Sequence, residues 1–170
     1  MEVIKIVIIF AVVYFVQQNI VGTCRVSGQS MYPTLNNENE NKSLDRVIVE
    51  RISNYTRDYF RGEVVLIKSH DSKDNIYIKR IIGLSNEEIE IKNGKVYING
   101  EELEEPYLPA GTKTYPDLKI KIPEESVFVL GDNRYNSADS RILGTIQHKD
   151  VVGHAFLRFN ILGLDGGKIQ

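Results

Sequence analysis

Three short stretches of this chain carry side chains able to do covalent chemistry. The first is Ser27-Gly28-Gln29-Ser30-Met31-Tyr32-Pro33-Thr34-Leu35. Gly28 permits close approach of the backbone, and Pro33 stiffens the chain just beyond. A serine between them is either held with its hydroxyl presented or part of a plain turn. The segment is not a Gly-x-Ser-x-Gly elbow, because Tyr32 stands where the second glycine belongs. The second stretch is Ile76-Tyr77-Ile78-Lys79-Arg80-Ile81-Ile82, an apolar run with two cations inside it. Strand alternation puts Tyr77, Lys79 and Ile81 on one face and Ile78, Arg80 and Ile82 on the other. Both faces have apolar neighbours, so the cations either snorkel at a sheet edge or are in part buried. Burial of Lys79 would disfavour the ammonium. A neutral amine is a competent general base for a serine hydroxyl. The third stretch, Gly131–Arg141, holds Asp132, Arg134, Asp139 and Arg141 behind the apolar run Val127–Leu130. Charge-assisted pairs among them would stiffen a loop that is otherwise a solvated turn.

Composition removes competing chemistries. Lys+Arg 21 against Asp+Glu 23 gives a net charge of −2, with no basic footprint for nucleic acid. The single cysteine, Cys24, excludes an internal disulfide and a cysteine-based zinc cluster. The three histidines (His70, His148, His154) are scattered and form no His-Glu-x-x-His pattern. No metal and no other cofactor is expected.

The elements that must position these stretches are mostly strands. The 170 residues fit one domain, or one core with an inserted lobe. Val47-Ile48-Val49, Val64–Ile67, Ile76–Ile82, Val127–Leu130 and Val151–Phe159 read as strands. Asn93-Gly94 between two alternating runs predicts a hairpin with a type I′ turn, and Asn99-Gly100 suggests a second turn. Asn36–Asp45 is polar and reads as an exposed loop. Residues 85–125, with their own hairpin, read as an insertion in a core made of 20–84 and 126–170. The resulting fold class is mostly β: an N-terminal transmembrane helix, an antiparallel catalytic core and an inserted β lobe.

The expected helix comes from Ile6–Val16, eleven consecutive apolar or aromatic residues within residues 1–19. A span needs about 20 residues, so this one is short. An uncleaved membrane anchor, a cleaved signal peptide (including a lipoprotein signal ending before Cys24) and a buried core helix all compete. No Ala-x-Ala site follows the run, which favours the anchor. Flanking charge ties, with Lys5 on one side and Arg25 on the other.

In this order and behind such a segment, the stretches Ser27–Leu35, Arg61–Leu66, Tyr77–Gly83 and Gly131–Arg141 resemble the type I signal peptidases, in their bacterial serine/lysine branch. Arg-Gly-Glu alone is weak. Ser-Met-Tyr-Pro-Thr-Leu and Gly-Asp-Asn-Arg followed by Ser-x-Asp-Ser-Arg are each specific. The resemblance implies a membrane-bound endopeptidase that removes signal peptides from exported preproteins. It implies Ser30 as nucleophile and Lys79 as general base, with Ser137 holding the Lys79 amine. Asp139 would pair with Arg141, and Arg134 would help brace the site. Met31, Leu35, Tyr77 and Ile78 are the candidate walls of the substrate pockets. The expected partners are exported preproteins and membrane lipid. The expected place is the cell membrane, crossed once, with the N-terminus cytoplasmic and the catalytic domain outside.

The chain departs from the family pattern at Gly28, where some members carry a serine that gives a hydroxyl to the oxyanion hole. A second departure is Leu84-Ser85-Asn86-Glu87, where Leu-Pro-Gly-Asp is frequent. Three other readings are a repressor-type serine/lysine autoprotease, a processing enzyme dedicated to a few surface proteins, and a vestigial membrane-tethered binding domain. The first would bring a DNA-binding helical domain, and this chain shows none. The second is separable only by assay on several preproteins. The presence of both Ser30 and Lys79 argues against the third.

Overall fold

The computed structural model describes residues 2–36, 45–69, 75–159 and 166–169. Helix α1 (Glu2–Asn19) leads into β1 (Val21–Arg25), β2 (Arg46–Glu50), the single turn α2 (Ser53–Thr56), β3 (Val64–Lys68) and β4 (Ile76–Gly83). A lobe follows, with β5 (Glu88–Lys92), β6 (Lys95–Ile98), β7 (Glu101–Glu102) and β8 (Leu118–Lys121). The chain then returns through β9 (Ser126–Leu130), α3 (Ser140–Leu143), β10 (Ile146–Gln147), β11 (Val151–Phe159) and β12 (Gly166–Lys168).

Among the described residues the strands make two antiparallel sheets. The larger runs β1-β2-β11-β3-β4-β9-β10, with β12 on β11. The smaller runs β7-β6-β5-β8. Valine and isoleucine dominate the central strands because both faces are covered. One face packs Val26, Met31, Leu35, Val47, Val49 and Leu66 together. The other packs Tyr59, Val65, Ile67, Ile81, Val127 and Val129. A third cluster joins Ile82, Phe128 and Leu130 of the large sheet to Ile89, Ile91, Val96 and Ile122 of the lobe. The lobe is therefore packed onto the large sheet through apolar contacts.

The Asn93-Gly94 turn has positive φ at both residues, 55° and 81°, and joins β5 to β6. Asn99 and Gly100 repeat the pattern between β6 and β7. The exit from β4 is closed without the Pro-Gly pair. The Glu87 carboxylate accepts from Leu84 N at 2.7 Å and pairs with Arg61.

Two expectations are corrected. The N-terminal segment is helical, but among the described residues no helix is long and apolar enough to cross a membrane. At 18 residues α1 rises about 27 Å, short of a hydrocarbon core of about 30 Å. It is not a core helix either, since Val3 through Tyr14 stand exposed all round. The Asn36–Asp45 loop is not exposed at its ends. Asn36 N donates to Asp45 Oδ2 at 2.7 Å, and Asp45 N donates to Asn36 Oδ1 at 2.9 Å, both residues being buried. The intervening 37–44 lie outside the described residues.

Candidate active site

Strand β4 sends alternate side chains to opposite faces, and this separates its two cations. Lys79 stands opposite Val65 of β3, and Arg80 stands between Val64 of β3 and Leu130 of β9. Lys79 Nζ donates to Ser30 Oγ at 2.9 Å and to the carbonyl of Ile78 at 2.9 Å. It also lies 5.2 Å from the centroid of the Tyr77 ring. Lys79 is only 2% exposed. Burial pulls its amine down to about 8, against the Asp139 and Asp132 carboxylates, which favour the ammonium. With the amine neutral the 2.9 Å contact runs the other way, from hydroxyl to nitrogen.

Ser30 sits in a tight turn, where Tyr32 N donates to Gln29 O and Leu35 N donates to Met31 O. Asn36 ties the start of this segment down through its side-chain amide, which donates to Val26 O and Gly28 O. The 131–141 loop holds the serine from the other side. Asn133 N donates to Ser30 O at 3.0 Å, and the Asn133 amide donates to Gln29 O at 3.1 Å. Gly131 has no substitute here: a Cβ on it would lie 2.5 Å from Ser30 O and 2.2 Å from Ser137 Oγ.

Arg141 makes a two-pronged pair with Asp139, Nε to Oδ1 at 2.8 Å and Nη2 to Oδ2 at 2.7 Å. Asp139 also caps α3 by accepting from Arg141 N, and it accepts from Gly131 N at 3.0 Å. Burial would raise its carboxyl, but these donors hold it below the usual range. Arg134 does not join this pair. It turns to the lobe and pairs with Glu105, which balances the charge of a guanidinium wholly shielded from water. The Ser137 hydroxyl does not hold the Lys79 amine. It lies close enough to favour the Asp139 carboxylate electrostatically, yet it is buried without a well-formed hydrogen bond. The Ile78 carbonyl takes the place expected of it.

A cleft of about 370 Å³ opens beside the pair and is lined by Val26, Gly28, Ser30, Tyr77, Ile78 and Lys79. Tyr77 and Ile78 thus face the space expected of them. Met31 and Leu35 do not; they are fully buried in the core beneath the turn, where their size fills the space against Val47 and Leu66. Gly28 borders the cleft, and a Cβ on it would meet nothing within 4 Å. Among the described residues, Ile76–Lys79 pair only with β3, because β9 joins β4 from Arg80 onward. One edge of this half-strand is therefore open toward the cleft.

Sequence reasoning missed the Arg80–Asp132 pair, two bonds at 2.9 and 2.7 Å with neither side chain exposed. The signal was the arginine in an apolar run. It also missed Thr34, whose hydroxyl donates to Asp132 Oδ2, and Glu105, which nothing local marks.

The signal peptidase family, peptidase S26, matches residues 1–160. Signal peptidase I S of Bacillus subtilis is 40% identical over 139 residues, covering 75% of this chain and 71% of that protein. Signal peptidase I U of the same organism is 33% identical over 171 residues, covering 95% and 87%. A probable signal peptidase I-2 from Synechocystis is 39% identical over 79% of this chain, which spans 61% of that relative's length. The crystal structure of a signal peptidase I from Enterococcus faecalis is similar at a TM-score of 0.51 and 29% identity, over 58% of this chain and 97% of that one. The chain belongs to the signal peptidase family, peptidase S26.

Proposed function

We propose that this protein removes signal peptides from exported preproteins, with Ser30 as nucleophile and Lys79 as general base. The observation that supports the reading is the 2.9 Å contact between Ser30 Oγ and a buried amine drawn down to about 8. The preprotein lies extended along the open edge of Ile76–Ile78 and adds main-chain hydrogen bonds there. Tyr77 and Ile78 bound pockets that admit only small side chains. Neutral Lys79 takes the hydroxyl proton as Ser30 attacks the scissile carbonyl. The Ser30 backbone N–H and a further donor stabilise the oxyanion. Lysine then protonates the leaving amine. A water activated by the same amine hydrolyses the acyl-enzyme. Asp139, braced by Arg141, and Asp132, braced by Arg80, keep the loop and strand in register.

Helix α1 holds the protein to the membrane, since the apolar side chains of Val3–Tyr14 are exposed all round and water is a poor solvent for them. The catalytic sheets face the extracytoplasmic side, where a signal peptide emerges.

The test is cleavage of a purified preprotein with small residues before its cleavage site. Wild type should release the mature protein, and Ser30→Ala should not. Removal of residues 2–19 should release the protein from membrane fractions. Retention of the truncated chain on membranes would contradict the role of α1.

A further inference from the structure

The lobe reaches the catalytic end of the large sheet through Glu105 and Tyr107 and through Lys113–Tyr115, where Arg141 Nη1 donates to Tyr115 O and Lys113 N donates to the Tyr135 hydroxyl. Arg134, adjacent to the Asn133 that holds Ser30, spends its guanidinium there. Its Nη1 donates to Glu105 Oε2 at 2.9 Å and to Thr114 Oγ1 at 2.6 Å, and its Nη2 donates to Glu105 Oε1. Its Nε donates to Gly131 O at 3.1 Å, so the group also fastens the loop to itself. The Tyr107 hydroxyl donates to Glu105 Oε1 at 2.7 Å. The Tyr107 ring lies 3.9 Å from the Arg80 guanidinium carbon, a close cation–π stack. Arg80 is the neighbour of Lys79 on β4.

One carboxylate is therefore bonded both to the loop that carries Ser30's support and, through Tyr107, to the strand that carries Lys79. We propose that Glu105, with Tyr107, acts as a positioning residue of the lobe that sets the Ser30–Lys79 contact by clamping both sides of it. This rests on the proteolytic reading given above.

The physical reason is that the Arg134 guanidinium cannot give up its charge. Neutralising Glu105 leaves that charge buried. The carboxylates nearest along the same loop are Asp132 and Asp139, which Arg80 and Arg141 already hold. Arg134 then competes for one of them and loosens the bracing. Its charge, no longer balanced by Glu105, also offsets part of the pull that the Asp139 and Asp132 carboxylates exert in favour of the Lys79 ammonium.

The experiment uses the full chain as wild type, Ser30→Ala, Glu105→Gln, Glu105→Asp, Tyr107→Phe and Tyr107→Leu, on a preprotein substrate. Glu105→Gln should lower kcat about ten-fold or more with KM within about two-fold. Glu105→Asp should recover part of the rate. Tyr107→Phe keeps the stack and should lose less than Tyr107→Leu. In parallel, a ¹⁵N-detected lysine side-chain spectrum should show the Lys79 midpoint displaced to lower pH in Glu105→Gln. A purely structural role would lower the melting temperature without moving that midpoint. A folded Glu105→Gln protein with wild-type kcat and an unmoved Lys79 titration would overturn the clamp. If Glu105→Gln does not fold, Glu105→Asp and Tyr107→Leu carry the same comparison. A wild type no more active than Ser30→Ala would refute the proteolytic reading instead, and the lysine titration would still decide the clamp.

Discussion

Arg80 and Asp132 face each other with neither side chain exposed, joined by two hydrogen bonds at 2.9 and 2.7 Å. The pair fixes the 131–141 loop to the strand that carries Lys79 on its other face. Removing one partner strands a buried charge, which can cost about 3–5 kcal/mol. Asp132→Asn should lose stability on that scale in denaturant unfolding. Arg80→Met with Asp132→Leu, which strands no charge, should lose less than Asp132→Asn. A double variant at least as unstable as the single would show that the pair contributes through packing and its other bonds.

Lys79 should oppose folding at neutral pH. Unfolded, a lysine titrates near about 10.4, and burial takes this one to about 8. Between those values the unfolded chain binds more protons, so stability rises with pH across that window. The penalty is full below the folded value, at roughly 3 kcal/mol. Lys79→Met should therefore be inactive yet as stable as wild type, or more so, near about pH 6, with the difference shrinking by about pH 10. A Met variant markedly less stable at the lower pH would mean that Lys79 is a charged structural residue.

Much of this arrangement was legible in the sequence because it is local. Alternation in Ile76–Ile82 placed Lys79 and Arg80 on opposite faces, and Asn93-Gly94 marked the lobe's hairpin. The resemblance of short motifs then singled out Ser30, Lys79, Asp139 and Arg141. Non-local pairing was not legible. Arg134 meets Glu105 across 29 positions of sequence, and Arg80 meets Asp132 across 52. Nothing in either neighbourhood names its partner. Met31 and Leu35 follow the serine in sequence, yet the tight turn points them into the core rather than the cleft. Strand β1 was hidden because Val21-Gly22-Thr23-Cys24-Arg25 lacks a sustained apolar alternation and gains its order from pairing with β2.

Glu63 should set the acid limb of stability. Burial alone would raise its carboxyl. His154, Arg57 and the Phe60 N–H together pull it down to about 2. The unfolded chain takes up that proton near about 4.3. The contribution is thus complete above that pH and is lost as pH falls toward the folded value. Glu63→Gln should flatten the fall in melting temperature between about pH 4.5 and about pH 2. An unchanged slope would place the sensitive carboxylate elsewhere.

Gly28 borders the cleft with open space where a Cβ would stand and without the positive φ that would strain an L residue. Gly28→Ser should fold normally and raise kcat several-fold by adding a hydroxyl donor near the developing oxyanion. One such donor can be worth about 3 kcal/mol where its geometry is ideal. Equal or lower kcat with an unchanged fold would mean that the hydroxyl does not reach the oxyanion.

The most direct test is the pH dependence of kcat/KM for preprotein cleavage, which reports the ionisation of the free enzyme's base. The rate should climb about ten-fold per pH unit at low pH, bend near about 8 and then level off, as the Lys79 amine loses its proton. Ser30→Ala and Lys79→Ala should show no cleavage at any pH. A profile flat from about pH 6 to about pH 10, or cleavage retained by either variant, would contradict a serine activated by a neutral lysine.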